Sequence, residues 1–186
     1  MDALSGRVVR GRVRPATPMK QIDDGIWVTA PLLQARECSG IIARAEAASF
    51  RVARDYDRYE RHNQETFLDE PMTAQLLLDR LRGDGSTLAA ARMDPTLECY
   101  RYLAGEYLAP HRDAATEIEP GVWSTLTLVL YLNDDFEGGE TGFPEPKIAV
   151  RPRPGHAVLF EHSLLHEGSP VLAGTKYVVR TSITTV

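Results

Sequence analysis

Two histidines and a carboxylate in the second half of the chain have the types and the spacing to hold a metal ion. His111 and Asp113 stand two residues apart, His166 follows 53 residues after Asp113, and Lys176 comes ten residues beyond His166. In an extended segment residues i and i+2 point the same way, so His111 and Asp113 can grip one ion together. Two neutral imidazoles and one carboxylate suit Fe(II), and they leave adjacent coordination positions for a chelating 2-oxoacid and for oxygen. A lysine beyond the last histidine can then meet the far carboxylate of that 2-oxoacid, since burying either charge without the other is costly. An H-x-D triplet taken alone also occurs by chance on surfaces, so the reading rests on the whole set.

Such a set needs a scaffold that brings strand ends together. Residues 32–48 carry Leu32, Ala35, Cys38, Ile42 and Ala45 at helical spacing, with Pro31 where a first turn tolerates it. A second helix is predicted over 71–82, with Asp69 as N-cap, Pro71 in the first turn and Gly83-Asp84-Gly85 as the stop. Beyond it the period becomes two. Residues 97–103, 125–132, 156–161 and 176–185 alternate or run apolar, separated by turn signals at Asn133-Asp134-Asp135, Gly138-Gly139 and Pro152-Arg153-Pro154-Gly155. Arg7, Arg10, Arg12 and Arg14 sit beside valines in a pattern that also reads as a strand. Short strands after two helices predict a mainly β fold with flanking helices, built on a double-stranded β-helix, the cupin-like jelly-roll whose two sheets open at one mouth.

Composition sets the limits. With 186 residues, 43% apolar and 25% charged, and no linker, repeat or composition break, the chain reads as one domain over 1–186. Residues 1–95 would supply an N-terminal strand and supporting helices, and 96–186 the core that carries the metal site. No apolar run approaches the roughly 18 residues of a membrane span, and no apolar h-region of a secretory signal follows the first residues. A cytoplasmic protein with no membrane partner is the expectation. The net charge of -5 gives no general attraction to nucleic acid. Cys38 and Cys99 have neither zinc spacing nor a disulfide framework and read as buried thiols.

The motifs around the chemical residues resemble those of the Fe(II)- and 2-oxoglutarate-dependent dioxygenases, and within them the prolyl 4-hydroxylase-like group, over roughly residues 97–186. Tyr102-x-x-Gly105 and then Pro110-His111-x-Asp113 match the approach to the first two ligands. Leu130-Tyr131-Leu132-Asn133, followed by Glu137-Gly138-Gly139-Glu140-Thr141-x-Phe143-Pro144, matches the next strand and turn. Ala157-Val158-Leu159-Phe160 leading to His166, then Pro170-Val171 and Gly174-x-Lys176, match the last ligand and the cosubstrate anchor.

The resemblance implies that His111, Asp113 and His166 bind Fe(II) and that Lys176 pairs with the C5 carboxylate of 2-oxoglutarate. It implies Tyr131 as the first candidate for a hydroxyl reaching that carboxylate and Tyr102 as the second. Alternation puts Lys176, Val178, Arg180 and Ser182 on one face of the last strand, so Arg180 can share or replace the anchor, a guanidinium matching a carboxylate well. One departure concerns the tyrosine that many members place three residues before the first histidine ligand: this chain has Leu108 there and Tyr107 one position earlier. The implied reaction couples decarboxylation of 2-oxoglutarate to succinate and CO2 with hydroxylation of an unactivated C–H bond, with O2 as cosubstrate and ascorbate as a supporting reductant. Related halogenases lack the carboxylate ligand, so Asp113 favours hydroxylation.

The remaining histidines have simpler readings. His162 lies four residues before His166, but the Glu-Gly-Ser-Pro-Val run attaches the family pattern to His166. His156 reads as a polar strand-end residue and His62 as part of a solvated polar run. Arg61 and Asn63 in that run, and Trp123 in a loop after Asp113, are candidates for covering the mouth and touching substrate. The substrate reads as a prolyl or other peptidyl side chain, a free amino acid or another small metabolite. With about 95 residues ahead of the motif region and no separate peptide-binding domain visible, a small molecule or short peptide is favoured. Two other classes stay in view: a non-catalytic cupin-like sensor that binds metal or ligand, and a zinc hydrolase, which gives no reason for Lys176. Oligomeric state is left open.

Overall fold

The computed structural model describes residues 17–53, 60–82 and 88–185. The arginine-rich stretch at 7–14 and the glycine stop at 83–85 lie outside the described residues. A hairpin of β1 (Met19–Asp23) and β2 (Ile26–Thr29) precedes α1 (Ala35–Ala47). Three short strands, β3 (Arg51–Val52), β4 (Arg61–His62) and β5 (Gln64–Asp69), lead to α2 (Pro71–Leu81). The chain then turns to strands: β6 (Thr96–Leu103), β7 (Tyr107–His111) and the small hairpin of β8 (Glu117–Glu119) and β9 (Val122–Trp123). Next come β10 (Leu126–Tyr131), β11 (Phe136–Gly138), β12 (Thr141–Phe143) and β13 (Ile148–Val150). The last are β14 (Ala157–Glu161), β15 (His166–Gly168) and β16 (Val171–Ile183).

Two antiparallel sheets face one another, giving the jelly-roll expected from the pattern. The larger runs β1-β2-β14-β10-β16-β6-β5-β3, with β11 paired to the start of β16; the smaller runs β13-β12-β15-β7-β4. Strand alternation divides the larger sheet's two faces. Leu97 and Cys99 of β6, Leu128 and Leu130 of β10, Leu159 of β14 and Val179 of β16 pack with Ile41 of α1 and Leu77 and Leu81 of α2. Their chain neighbours Tyr100, Tyr102, Tyr131, Val158, Phe160 and Val178 pack with Phe143 of the smaller sheet. Each large apolar side chain so buried contributes roughly 1.5–3 kcal/mol.

Boundaries differ from expectation for local reasons. The first helix begins at Ala35, not near residue 32, because the Leu32 and Leu33 amides both donate to the Gly155 carbonyl, at 2.7 and 3.3 Å. Gln34 is its N-cap, and the Glu37 carboxylate accepts the Gln34 N–H at 2.7 Å, as in a capping box. The second helix does open at Pro71, but its N-cap is Glu70; Asp69 is the last residue of β5, paired with Thr96. The final strand starts at Val171, five residues early, since its first residues pair with β11. Cys38 and Cys99 are buried free thiols, and burial pushes Cys99 up to about 12.

Candidate metal centre and cosubstrate pocket

The smaller sheet sets the two histidines side by side. His111 ends β7 and His166 opens β15, and the register makes them direct cross-strand partners with ring centroids 4.2 Å apart. Asp113 lies two residues past His111, beyond the strand, where its N–H donates to the His162 carbonyl at 3.1 Å. His111 Nε2 is 3.7 Å from Asp113 Oδ1 and His166 Nε2 is 3.8 Å from Asp113 Oδ2. One ligand atom from each residue falls within 4.8 Å of the others.

Protonation in this cluster matches what a divalent cation needs. Nδ1 of His111 stands 2.9 Å from the Ala109 carbonyl and Nδ1 of His166 stands 3.1 Å from the Leu164 carbonyl. A carbonyl only accepts, so each Nδ1 carries a proton, which leaves Nε2 as the nitrogen that faces Asp113 and could take a metal. Burial pushes His166 down to about 4 against the upward pull of the Asp113 charge, so its ring is neutral. Burial alone would raise the Asp113 carboxyl. Contact with His111, the charge of Arg180 and a hydrogen bond from Thr127 outweigh it and hold the group well below the usual carboxylate range. Imidazole nitrogens and an ionised oxygen in one cluster fit Fe(II).

A cavity of about 370 Å³ opens against these ligands. At one end Lys176 is 3% exposed, with its ammonium 4.9 Å from the centre of the Tyr102 ring, its partner across the β16–β6 ladder. Burial lowers Lys176 to about 8, with Glu140 pulling the other way. The Gly138-Gly139 turn shapes this end. Gly139 has φ +68°, and a Cβ there would come within 3.1 Å of Lys176 Cδ, so glycine lets the turn close over the lysine stem.

The two candidate tyrosines stand differently against the cavity. Tyr131 is buried and its hydroxyl donates to Thr141 Oγ1 at 2.8 Å, which sets it behind the cavity wall, whereas Tyr102 and Thr141 line the cavity. Arg180 also lines it but is engaged elsewhere, with Nη1 2.7 Å from Glu98 Oε1 and Nη2 3.4 Å from Asp113 Oδ2. Leu108 lines the cavity, while Tyr107 donates to Glu60 and stacks on His62 at 5.0 Å.

Other sequence candidates fall on both sides of the wall. Arg61 is buried, lines the cavity and contacts Glu65 Oε2 at 3.4 Å; Asn63 sits behind it and accepts its Nε–H. Trp123 is 54% exposed on the β8–β9 hairpin and does not line the cavity. His162 is buried outside the ligand cluster, and His156 bonds the Thr29 carbonyl at a strand end. Sequence reasoning missed Thr127 and Glu98. The signal was available: both are polar residues on strands whose other positions are largely apolar, and both fall on the Tyr100 and Tyr131 side of the alternation.

Comparison with known proteins agrees with this geometry. Residues 97–185 match the family model described as the 2OG-Fe(II) oxygenase superfamily. The chain is 29% identical over 157 residues to a PKHD-type hydroxylase of Parvibaculum lavamentivorans, covering 77% of this chain and 70% of the relative. It is 33% identical over 98 residues to prolyl 4-hydroxylase subunit alpha-1 of Homo sapiens, covering 44% of this chain and 18% of the relative. The chain spans well under half the length of the curated prolyl 4-hydroxylases it matches. Among solved structures, the viral collagen prolyl hydroxylase of Paramecium Bursaria Chlorella virus-1, in complex with 2-oxoglutarate, superposes with a TM-score of 0.65 at 22% identity, covering 89% of this chain and 100% of that one. Over residues 97–185 the chain is thus similar to the 2OG-Fe(II) oxygenases. The relatives it resembles include prolyl 4-hydroxylases, and its fold is like that of the viral prolyl hydroxylase.

Proposed function

We propose that the protein is an Fe(II)- and 2-oxoglutarate-dependent dioxygenase that hydroxylates a C–H bond of a peptidyl substrate, a prolyl side chain foremost, or of an amino acid or related small molecule. The observation that carries this reading is the placement of Lys176 in the same cavity as the His111, Asp113 and His166 donors. Among the described residues Lys176 forms no salt bridge, and a buried ammonium without an anion is costly, so a carboxylate ligand offsets that cost.

His111, Asp113 and His166 would hold the metal, and Lys176 would take the far carboxylate of 2-oxoglutarate. The Thr141 hydroxyl, accepting from Tyr131, keeps its own proton to donate into the cavity beside Lys176. Tyr102, Leu108 and Val178 wall the chain of the 2-oxoacid off from water. Bound Fe(II) supplies the activation of O2 that couples 2-oxoglutarate decarboxylation to hydroxylation. Arg61, Glu65 and Phe67 line the same cavity and form the surface available to substrate. The test is incubation with 2-oxoglutarate, Fe(II), O2 and ascorbate over a panel of proline-containing peptides, free amino acids and small metabolites. Gain of one oxygen by a panel member, in step with 2-oxoglutarate loss, is expected; 2-oxoglutarate loss with no oxygenated product across the panel would overturn the assigned substrate classes.

A further inference from the structure

Behind Asp113 lies a chain of polar groups that metal ligation alone does not demand. Thr127 O–H donates to Asp113 Oδ2, and Arg180 Nη2 approaches the same oxygen at 3.4 Å. Arg180 Nη1 donates to Glu98 Oε1 at 2.7 Å, and the Tyr100 hydroxyl donates to Glu98 Oε2. Register assembles this chain: Arg180 lies opposite Glu98 on one side and opposite Val129 on the other, so its guanidinium is confined between β6 and β10. The Arg180 and Asp113 side chains are 13% and 10% exposed. Charges buried to that degree persist only where partners satisfy them in fixed geometry.

The three ligands differ in what steadies them. His111 and His166 are locked by β7–β15 pairing and by their own Nδ1 contacts to backbone carbonyls. Asp113 lies past the end of β7, so strand pairing does not set its carboxylate. Both groups from the larger sheet reach Oδ2.

We infer that Arg180, held by Glu98, is a positioning residue that works with Thr127 to occupy Oδ2 of Asp113 and offer only Oδ1 to the metal. This rests on the reading of His111, Asp113 and His166 as metal ligands. The consequence is one of room: a carboxylate offering one oxygen would take less of the metal's coordination than one offering both, and would leave more of it open to a chelating 2-oxoacid. The role differs from anchoring 2-oxoglutarate, because it acts before any cosubstrate binds.

The experiment measures Co(II) binding without 2-oxoglutarate, by visible absorption and chelator competition, with far-UV circular dichroism as the control for folding. The proteins are the parent, Arg180→Lys, the neutral pair Arg180→Met with Glu98→Gln, and His111→Ala. Lysine keeps the charge but lacks the fork that holds Glu98 and Asp113 at once. Both Arg180 variants are expected to bind Co(II) about 10- to 100-fold more weakly, with a changed absorption band and unchanged circular dichroism. If the neutral pair does not fold, Arg180→Lys decides alone. Parental affinity and band in the Arg180 variants, with His111→Ala still deficient, overturns the positioning role and leaves the metal site standing. Parental binding in His111→Ala overturns the site and the inference together.

Discussion

Leu97, Cys99, Leu128, Leu130 and Val179 face the helices, while their chain neighbours Glu98, Tyr100, Thr127, Val129, Val178 and Arg180 face the smaller sheet. The same three strands, β6, β10 and β16, make both surfaces. On the helix side the buried residues are apolar, and the free energy there is that of close packing. On the other side buried Lys176 and Thr127 and the partly buried Arg180 stand among tyrosines, and the free energy depends on each polar group meeting a partner. Alternation of one residue keeps the two tasks apart, so chemistry can change on one face with little effect on packing at the other. A register slip of one residue would exchange the faces and destroy both.

Substitutions on the two faces should therefore have separable effects. The largest is expected on the helix side: Leu128, fully buried, should lose about 2–5 kcal/mol of folding stability as Leu128→Ala. Urea denaturation measures that loss, and the KM for 2-oxoglutarate of the folded variant should match the parent. Lys176→Met should do the reverse. Losing one partner of a buried charge pair costs about 2 kcal/mol or more, a rise in the KM for 2-oxoglutarate of roughly 30-fold or beyond. The metal-free variant should be at least as stable as the parent, because it no longer buries an ammonium. A fall in stability equal to the loss in binding would break the comparison.

The third effect is one of pH. In the proposed role the protonated Lys176 is the binding form, and burial lowers the lysine to about 8 in the metal-free protein. The KM for 2-oxoglutarate should be level below that pH and rise about tenfold per unit above it, until the pKa of the bound state is reached. The folding term has its own sign. Between about 8 and the ordinary lysine value the unfolded chain holds more protons than the folded one, so stability of the metal-free protein should increase with pH. Lys176→Arg should abolish the rise in KM. The smallest effect should come from Tyr131→Phe. It removes the hydrogen bond to Thr141, about 1 kcal/mol, and should raise the same KM by roughly fivefold without touching the metal.

That His111, Asp113 and His166 cluster, and that Lys176 shares their cavity, was legible because local sequence carries it: a two-residue spacing on an extended segment, and a lysine at a fixed remove from the last histidine. Strand alternation was legible for the same reason, and it placed Lys176, Val178 and Arg180 on one face correctly. What stayed hidden depends on pairing between distant segments. That Lys176 meets Tyr102, and that Arg180 meets Glu98, follows from the β16–β6 register, which no single strand encodes. Tyr131 read as the better hydroxyl because its strand motif is the stronger match. Its position behind Thr141 depends on how β12 packs across the sheet. β3 and β4 have two residues each, too short to show a period.

The most direct measurement is succinate formation by the purified protein supplied with Fe(II), O2, ascorbate and 2-oxoglutarate, for the parent and His111→Ala. The account predicts succinate from the parent, stimulated by a hydroxylatable substrate, and none from His111→Ala. Iron bound by the parent with no 2-oxoglutarate consumed, alone or with prolyl peptides and small-molecule substrates, would contradict it and point to a metal-binding module without turnover.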